Sequence, residues 1–371
     1  MTCLTKIPYT DISQQHAAIK EKLLAAVERV IDHGKFVLGP QVEEFESRFA
    51  QLCQTKHALG VGNGTDAIIL ALKAVGVGPG DEVITVANTF VSTVSSIIAV
   101  GAKPVLVDVR DDYNIDPRLI EKAITPRTKA LLPVHLTGRP ADMDPIVSVA
   151  RKHHLKVVED CAQAVGAEYK GQKVGSLGDI GCFSFHPLKT LNACGDGGAI
   201  VTNDEQFYQK VKILRDNGMK NRSECVAWSG NSRLDTIQAA ILLVKLDCLK
   251  QWTEKRIENA KFYQKELSKL DSIRFPVDQP YEKAVYHTFV IQADKREALI
   301  DYLAQKGIGT KIHYPIPVHL QPVAQELGYK KGDLPVTEKQ SQEILSLPVY
   351  PELSQENLAY IVQMIKEFYE S

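Results

Sequence analysis

The chain has 371 residues, 44% of them hydrophobic and 24% charged, with a formal net charge of −1. That length predicts one large domain with a smaller one beside it, and the composition supports a sizeable core. A balance this close to neutral excludes bulk attraction to nucleic acid or to an anionic membrane, so an anionic ligand has to be held locally. Seven scattered cysteines, none in a C-x-x-C pair, read as reduced thiols of a cytoplasmic protein. The opening MTCLTKIPYTDISQQ lacks the basic-then-apolar pattern of a signal peptide, and no apolar run has the length of a membrane span.

In chain order, residues 15–33 have amphipathic helical spacing and stop at Gly34, and residues 41–53 predict a second helix just after Pro40. An alternation follows. Continuous apolar runs predict strands over 82–87, 104–109, 130–135, 156–160, 180–185 and 198–202, separated by helical patterns. Such strands predict an α/β fold with a largely parallel sheet covered on both faces, binding its ligand at the carboxyl ends of the strands. Residues 236–270 predict a long helix. From residue 284 the pattern becomes short and mixed: a strand-like VYHTFVIQA, a helix through Lys306, then KIHYPIPVHLQP. A boundary within 245–255 divides the chain into a large α/β domain over 1–250 and a smaller α+β domain over 251–371.

Residues 181–198, GCFSFHPLKTLNACGDGG, set Lys189 between an apolar strand and a glycine-rich turn. Upstream, VVEDCAQAVG ends an apolar strand on Asp160. A lysine that forms an imine and a strand-end carboxylate are the two groups pyridoxal 5′-phosphate needs, one for its aldehyde and one for its pyridine nitrogen. Taken singly, Asp160 also reads as a helix cap and Lys189 as a surface lysine; together in consecutive strand–loop units they are far more specific. In GVGNGTDAIILALKAV, Gly62 and Gly64 precede Thr65 at a helix start, an arrangement that suits a phosphate and equally an ordinary capped glycine turn. A nicotinamide-dinucleotide fingerprint fits poorly, because the third glycine comes too early and Asp81-Glu82 precede the next strand instead of ending it. Ser184 is a second candidate phosphate hydroxyl. Phe90 is the candidate to stack on the cofactor ring, or else a core phenylalanine.

These segments, with FVLGPQVEEFE, GDEVIT, NTFVST, VHLTGRPADM, NSRLDTIQAAIL and SLPVYPEL, resemble the DegT/DnrJ/EryC1/StrS family of sugar aminotransferases over nearly the whole chain. The resemblance implies the fold-type I pyridoxal-phosphate architecture, with a mostly parallel seven-stranded sheet. It implies Lys189 as the Schiff-base lysine and proton shuttle, and Asp160 on the pyridine nitrogen. Gln163 falls near the phenolic oxygen, and Phe90 on the ring face. Gly64, Thr65 and Ser184 fall on the phosphate, where Asn231 arrives from the other subunit of a homodimer. Retention of Lys189, where some relatives carry histidine and dehydrate sugars, implies transamination over dehydration or a non-catalytic regulatory role. The implied donor is L-glutamate and the implied acceptor a nucleotide-linked keto-sugar, at C3 of a UDP- or dTDP-3-keto hexose, with a 4-keto-6-deoxy sugar as the alternative. Thr190 and Asn217 depart from common family residues and bear on the choice of sugar. Arg233 reads as a carboxylate-binding arginine or as an interface salt bridge. His313, Tyr314 and His319 read as the border of the sugar pocket or as interdomain packing. No metal is expected.

Overall fold

The computed structural model describes residues 6–370, so Cys3 lies outside the described residues. Seven strands form the main sheet: β1 (His57–Val61), β2 (Glu82–Val86), β3 (Lys103–Val107), β4 (Thr128–Leu131), β5 (Lys156–Asp160), β6 (Ile180–Ser184) and β7 (Gly198–Thr202). Their spatial order is β1-β7-β6-β5-β4-β2-β3. Pairing is parallel from β3 through β6, and β7 runs antiparallel to both of its neighbours. Helices cover both faces. Leu59, Ile68, Leu72, Ile97 and Ile180 fill one cluster, while Phe45, Phe49, Phe183 and Phe185 pack in another.

The alternation of apolar runs gave six of these strands; β1 was missed. HALGV is short and contains Gly60, where a Cβ would stand 2.8 Å from the Leu234 side chain. The glycine marks a close approach rather than a turn. The expected helix over 15–33 is two helices, Ile12–Ala17 and Lys20–His33. Ile19 leaves helical geometry at φ −123° and packs with Leu23, Ile241 and Trp252. The second helix does end at Gly34, left-handed at φ 68° with its N–H on the Val30 carbonyl.

The long helix Thr236–Leu267 links two cores. Leu242 and Leu249 pack with the sheet, whereas Ala260, Tyr263 and Leu267 pack with the C-terminal residues. There β8 (Ile273–Arg274), β9 (Phe289–Ala293) and β10 (Ile344–Leu347) form an antiparallel sheet. Ile7 belongs to this second core and bridges to Ile308. The first described residues therefore pack on the C-terminal body, although the sequence division grouped them with residues up to 250.

The end of β5 carries two adjacent acidic residues, which alternation sends to opposite faces. Glu159 is fully buried and accepts from the backbone N–H groups of Gly175, Leu177 and Gly178 at 2.8, 2.9 and 2.6 Å. His135 Nδ1 accepts the Ala141 N–H at 3.0 Å, so Nε2 carries the ring proton and donates to Glu159 at 2.9 Å. The ligand atoms of His135, Glu159 and Cys161 lie within 4.8 Å of one another, but the ring nitrogens and both Glu159 oxygens are already engaged. This hub ties the 175–178 loop to β5 and fixes the strand whose next residue is Asp160. Glu159→Gln turns an amide NH2 toward those donors and should cost about 3 kcal/mol or more. A urea titration checks this; an unchanged midpoint would show that the hub does not hold the strand.

Candidate active site

The carboxyl ends of β1, β5 and β6 and the amino end of β7 meet at one edge of the sheet. Val61 and Ser184 both register with Gly198, and Asp160 with Cys182. A cavity of about 600 Å³ opens there, lined by Gly64, Thr65, Phe90, Asp160, Gln163, Ser184, Lys189, His313 and Tyr314 among others. Nine of the twelve residues singled out in the sequence are thus brought together.

The helix Gly64–Ala74 starts at this edge. Asn63 caps it, its side-chain oxygen accepting the Asp66 N–H at 2.9 Å. The N–H groups of Gly64 and Thr65 have no hydrogen-bond partner among the described residues. A Cβ on Gly64 would lie 2.7 Å from Ser184 Cβ, so glycine lets the helix start close against the end of β6. Two free N–H groups, the Thr65 hydroxyl and the Ser184 hydroxyl make an anion cradle.

Asp160 is buried, with a relative exposure of 5%. Thr93 Oγ1 donates to its Oδ2 at 2.8 Å, and the Ala162 N–H donates to its Oδ1 at 3.1 Å. Thr89 pairs with Thr93 at 2.7 Å behind it. Both threonines lie in the ANTFVST segment that had supplied only Phe90; the signal was there, in hydroxyls one helical turn apart. Phe90 precedes the helix Val91–Ala99 and is half exposed, its ring 5.8 Å from that of Tyr314. Gln163 accepts the Thr137 N–H at 2.7 Å and donates to Tyr314 OH at 3.1 Å, which fixes its amide.

Lys189 follows β6 in a tight turn, its N–H on the His186 carbonyl at 2.8 Å. Its own carbonyl accepts Asn192 Nδ2 at 3.0 Å, and Asn192 is held by the buried Lys245. Asn192 and Lys245 carried no recognisable signal in the sequence. Burial lowers the Lys189 ammonium to about 8, with Asp160 pulling the other way. His313 also lines the cavity, its Nδ1 2.9 Å from Ser346 Oγ. Burial first, then Lys189, lowers its imidazolium to about 4, so it is neutral near pH 7.

Three expected residues stand elsewhere. His319 is buried, with Nε2 3.1 Å from Glu338, and does not line the cavity, which favours the packing reading. Arg233 donates to Asp216 at 2.7 Å, outside the cavity, in the ion-pair reading. Asn231 is exposed, bridges to Asp216 and is also outside the cavity of its own chain.

Residues 17–366 match the DegT/DnrJ/EryC1/StrS aminotransferase family. The chain belongs to that family. It is a pyridoxal-phosphate-dependent aminotransferase acting on sugars. It is 45% identical over 366 residues, 98% of each chain, to a pleiotropic regulatory protein of Geobacillus stearothermophilus. It is 41% identical to the dTDP-3-amino-3,4,6-trideoxy-alpha-D-glucose transaminase of Streptomyces venezuelae, over 98% of this chain and 97% of that one. The structure of DesV from S. venezuelae, solved in complex with a ketimine intermediate, superposes with a TM-score of 0.97 at 40% identity, covering 99% of both chains. The expected fold class and cofactor are those of the family. No helix among the described residues is long and apolar enough to cross a membrane.

The lowered lysine predicts a pH dependence. Only the free amine attacks an aldehyde, and burial brings that form in at lower pH. In the cofactor-free protein, the rate of pyridoxal phosphate capture should rise through about pH 8 and then level off. Stopped-flow absorbance measures it. A rate that climbs on to the ordinary lysine value of 10.5 would place the reactive amine in water.

Proposed function

We propose that this chain moves an amino group from L-glutamate to a nucleotide-linked keto-sugar, at C3 of a UDP- or dTDP-3-keto hexose. The observation that carries the reading is Lys189 and the buried Asp160 on one cavity whose third wall is the anion cradle of Gly64, Thr65 and Ser184. Carbon 3 is favoured because the name of the S. venezuelae relative places its amino group there.

These residues fit pyridoxal phosphate. The helix start and the two hydroxyls would hold its phosphate. Phe90 would cover one ring face, and Gln163, fixed by Thr137 and Tyr314, would reach the phenolic oxygen. Asp160 has two donors on its two oxygens and keeps acceptor capacity for a protonated ring nitrogen. The cofactor, when bound, supplies an electron sink beside the carbon that loses its proton.

The chain's own part is proton transfer and charge placement. Lys189, when its amine is free, would take the donor's α-proton, and burial keeps a useful fraction of it unprotonated near pH 8. The same nitrogen would return that proton on the far side of the donor nitrogen, two atoms from the carbon that lost it; water would supply the keto oxygen of 2-oxoglutarate, and the amino group would stay with the cofactor. The second half-reaction runs these steps backwards on the keto-sugar. The neutral His313 and Tyr314 border the space left for the sugar. Asn231 would complete the phosphate site of a neighbouring copy, in keeping with its position outside its own cavity. Leu24, Ile31, Phe36, Val37 and Trp228 are exposed apolar side chains, as a homodimer would need.

The test is a visible spectrum of the cofactor-loaded protein before and after L-glutamate. The lysine-linked band should bleach in the wild type and return on addition of a 3-keto nucleotide sugar. Asp160→Asn should keep the band but slow its bleaching by about 10²-fold or more, since a neutral amide leaves the ring nitrogen without its counter-charge. Bleaching at the wild-type rate in Asp160→Asn would remove that carboxylate from the chemistry.

A further inference from the structure

One part of the cavity wall is not used by any step above. Arg256 comes from the long helix Thr236–Leu267 and lines the cavity with a relative exposure of 7%. No carboxylate of the described residues lies within ion-pair distance of it. Its bonds are two long ones, from Nη1 to the Tyr286 and His287 carbonyls at 3.5 and 3.4 Å. A guanidinium removed from water normally acquires a carboxylate partner, because its desolvation is otherwise uncompensated.

The residues beside it are unsatisfied in the same way. Thr288 is 2% exposed and lines the cavity, and its Oγ1 has no hydrogen-bond partner among the described residues. The adjoining His287 also lines it, with Nδ1 unpartnered among the described residues. The positive charges of Lys189 and Arg256 both bear on His287, which relates the recess to the reacting lysine, and burial with these charges holds its imidazole neutral. The other charged or titratable groups acting on Arg256 are Tyr9, whose burial pushes its phenol up, and Glu352, whose burial pushes its carboxyl up. Neither reaches it as an ion pair. A buried cation, a hydroxyl and an imidazole nitrogen, all short of partners on one wall, form a site for a single planar anion.

We propose that Arg256, His287 and Thr288 form the recess that takes a carboxylate of the amino donor. This rests on the transaminase reading and adds its donor subsite. The donor must bring a carboxylate out of water next to the nitrogen that displaces Lys189, whereas the reacting carbon of a keto-sugar carries no anionic group. When the sugar follows in the second half-reaction, its hydroxyls can accept from the same guanidinium.

The probe is glutarate, a dicarboxylate with no amine, titrated calorimetrically into the cofactor-loaded protein. Wild type should bind it. Arg256→Gln should weaken binding at least tenfold and raise the KM for L-glutamate by a similar factor, with the visible cofactor band intact. Thr288→Val, nearly isosteric, should weaken glutarate at least threefold, and it decides the matter if Arg256→Gln does not fold. Failure of wild type to bind glutarate, or equal binding by the variants, overturns the recess. If glutarate binding needs Arg256 but L-glutamate leaves the band unbleached in wild type, the recess stands and the donor reading falls. If L-glutamate bleaches wild type and Arg256→Gln alike, the reading stands and the recess falls.

Discussion

A carboxylate can leave water only if donors follow it, and β5 ends on two of them. Glu159 and Asp160 are adjacent and both buried, so the fold has to supply donors on both faces of one strand end. On one face the donors are backbone N–H groups and a histidine, and Glu159 is fully occupied. On the other face Asp160 receives one hydroxyl and one N–H. The difference separates structure from function. The satisfied carboxylate anchors the strand, and the less satisfied one retains capacity for a charged partner that the fold itself does not provide.

The rest of the site is arranged around that strand end. Parallel pairing brings the ends of β5 and β6 to the same edge, two antiparallel pairings through β7 bring the end of β1 there, and the turn after β1 sets a helix start beside them. Lys189 arrives on a turn rather than on a strand, so its position needs its own support. Asn192 and the buried Lys245 provide it from behind. The wall opposite comes from the C-terminal residues, through His287, His313 and Tyr314. The cavity is therefore lined by residues from both cores.

Much of this was legible in the residues. Period and length gave six strands, and the Lys189–Asp160 pair with the glycine-rich helix start gave the chemistry, because each needs particular residue types at particular places. What stayed hidden were residues whose role depends on tertiary approach. Strand β1 went unread at Gly60 because the Leu234 side chain that leaves no room for a Cβ there is distant in sequence. Arg256 sits in a helix of charged and apolar residues, and nothing local says that it faces inward without a carboxylate. His319 misled for the opposite reason: a histidine in a proline-rich segment looks available, and its partner Glu338 appears only on folding.

The most direct test of the arrangement is to fix the cofactor where it sits. Borohydride reduction of the loaded protein converts the lysine link to a stable amine, and peptide mass mapping locates it. The adduct should lie on Lys189 alone. Lys245 is also buried, but its ammonium is bound by Asn192 at 2.5 Å and lies near His16 at 2.8 Å, away from the cavity. An adduct on Lys245, or on any lysine outside the 600 Å³ cavity, would contradict the pairing of Lys189 with Asp160 as the centre of the chemistry.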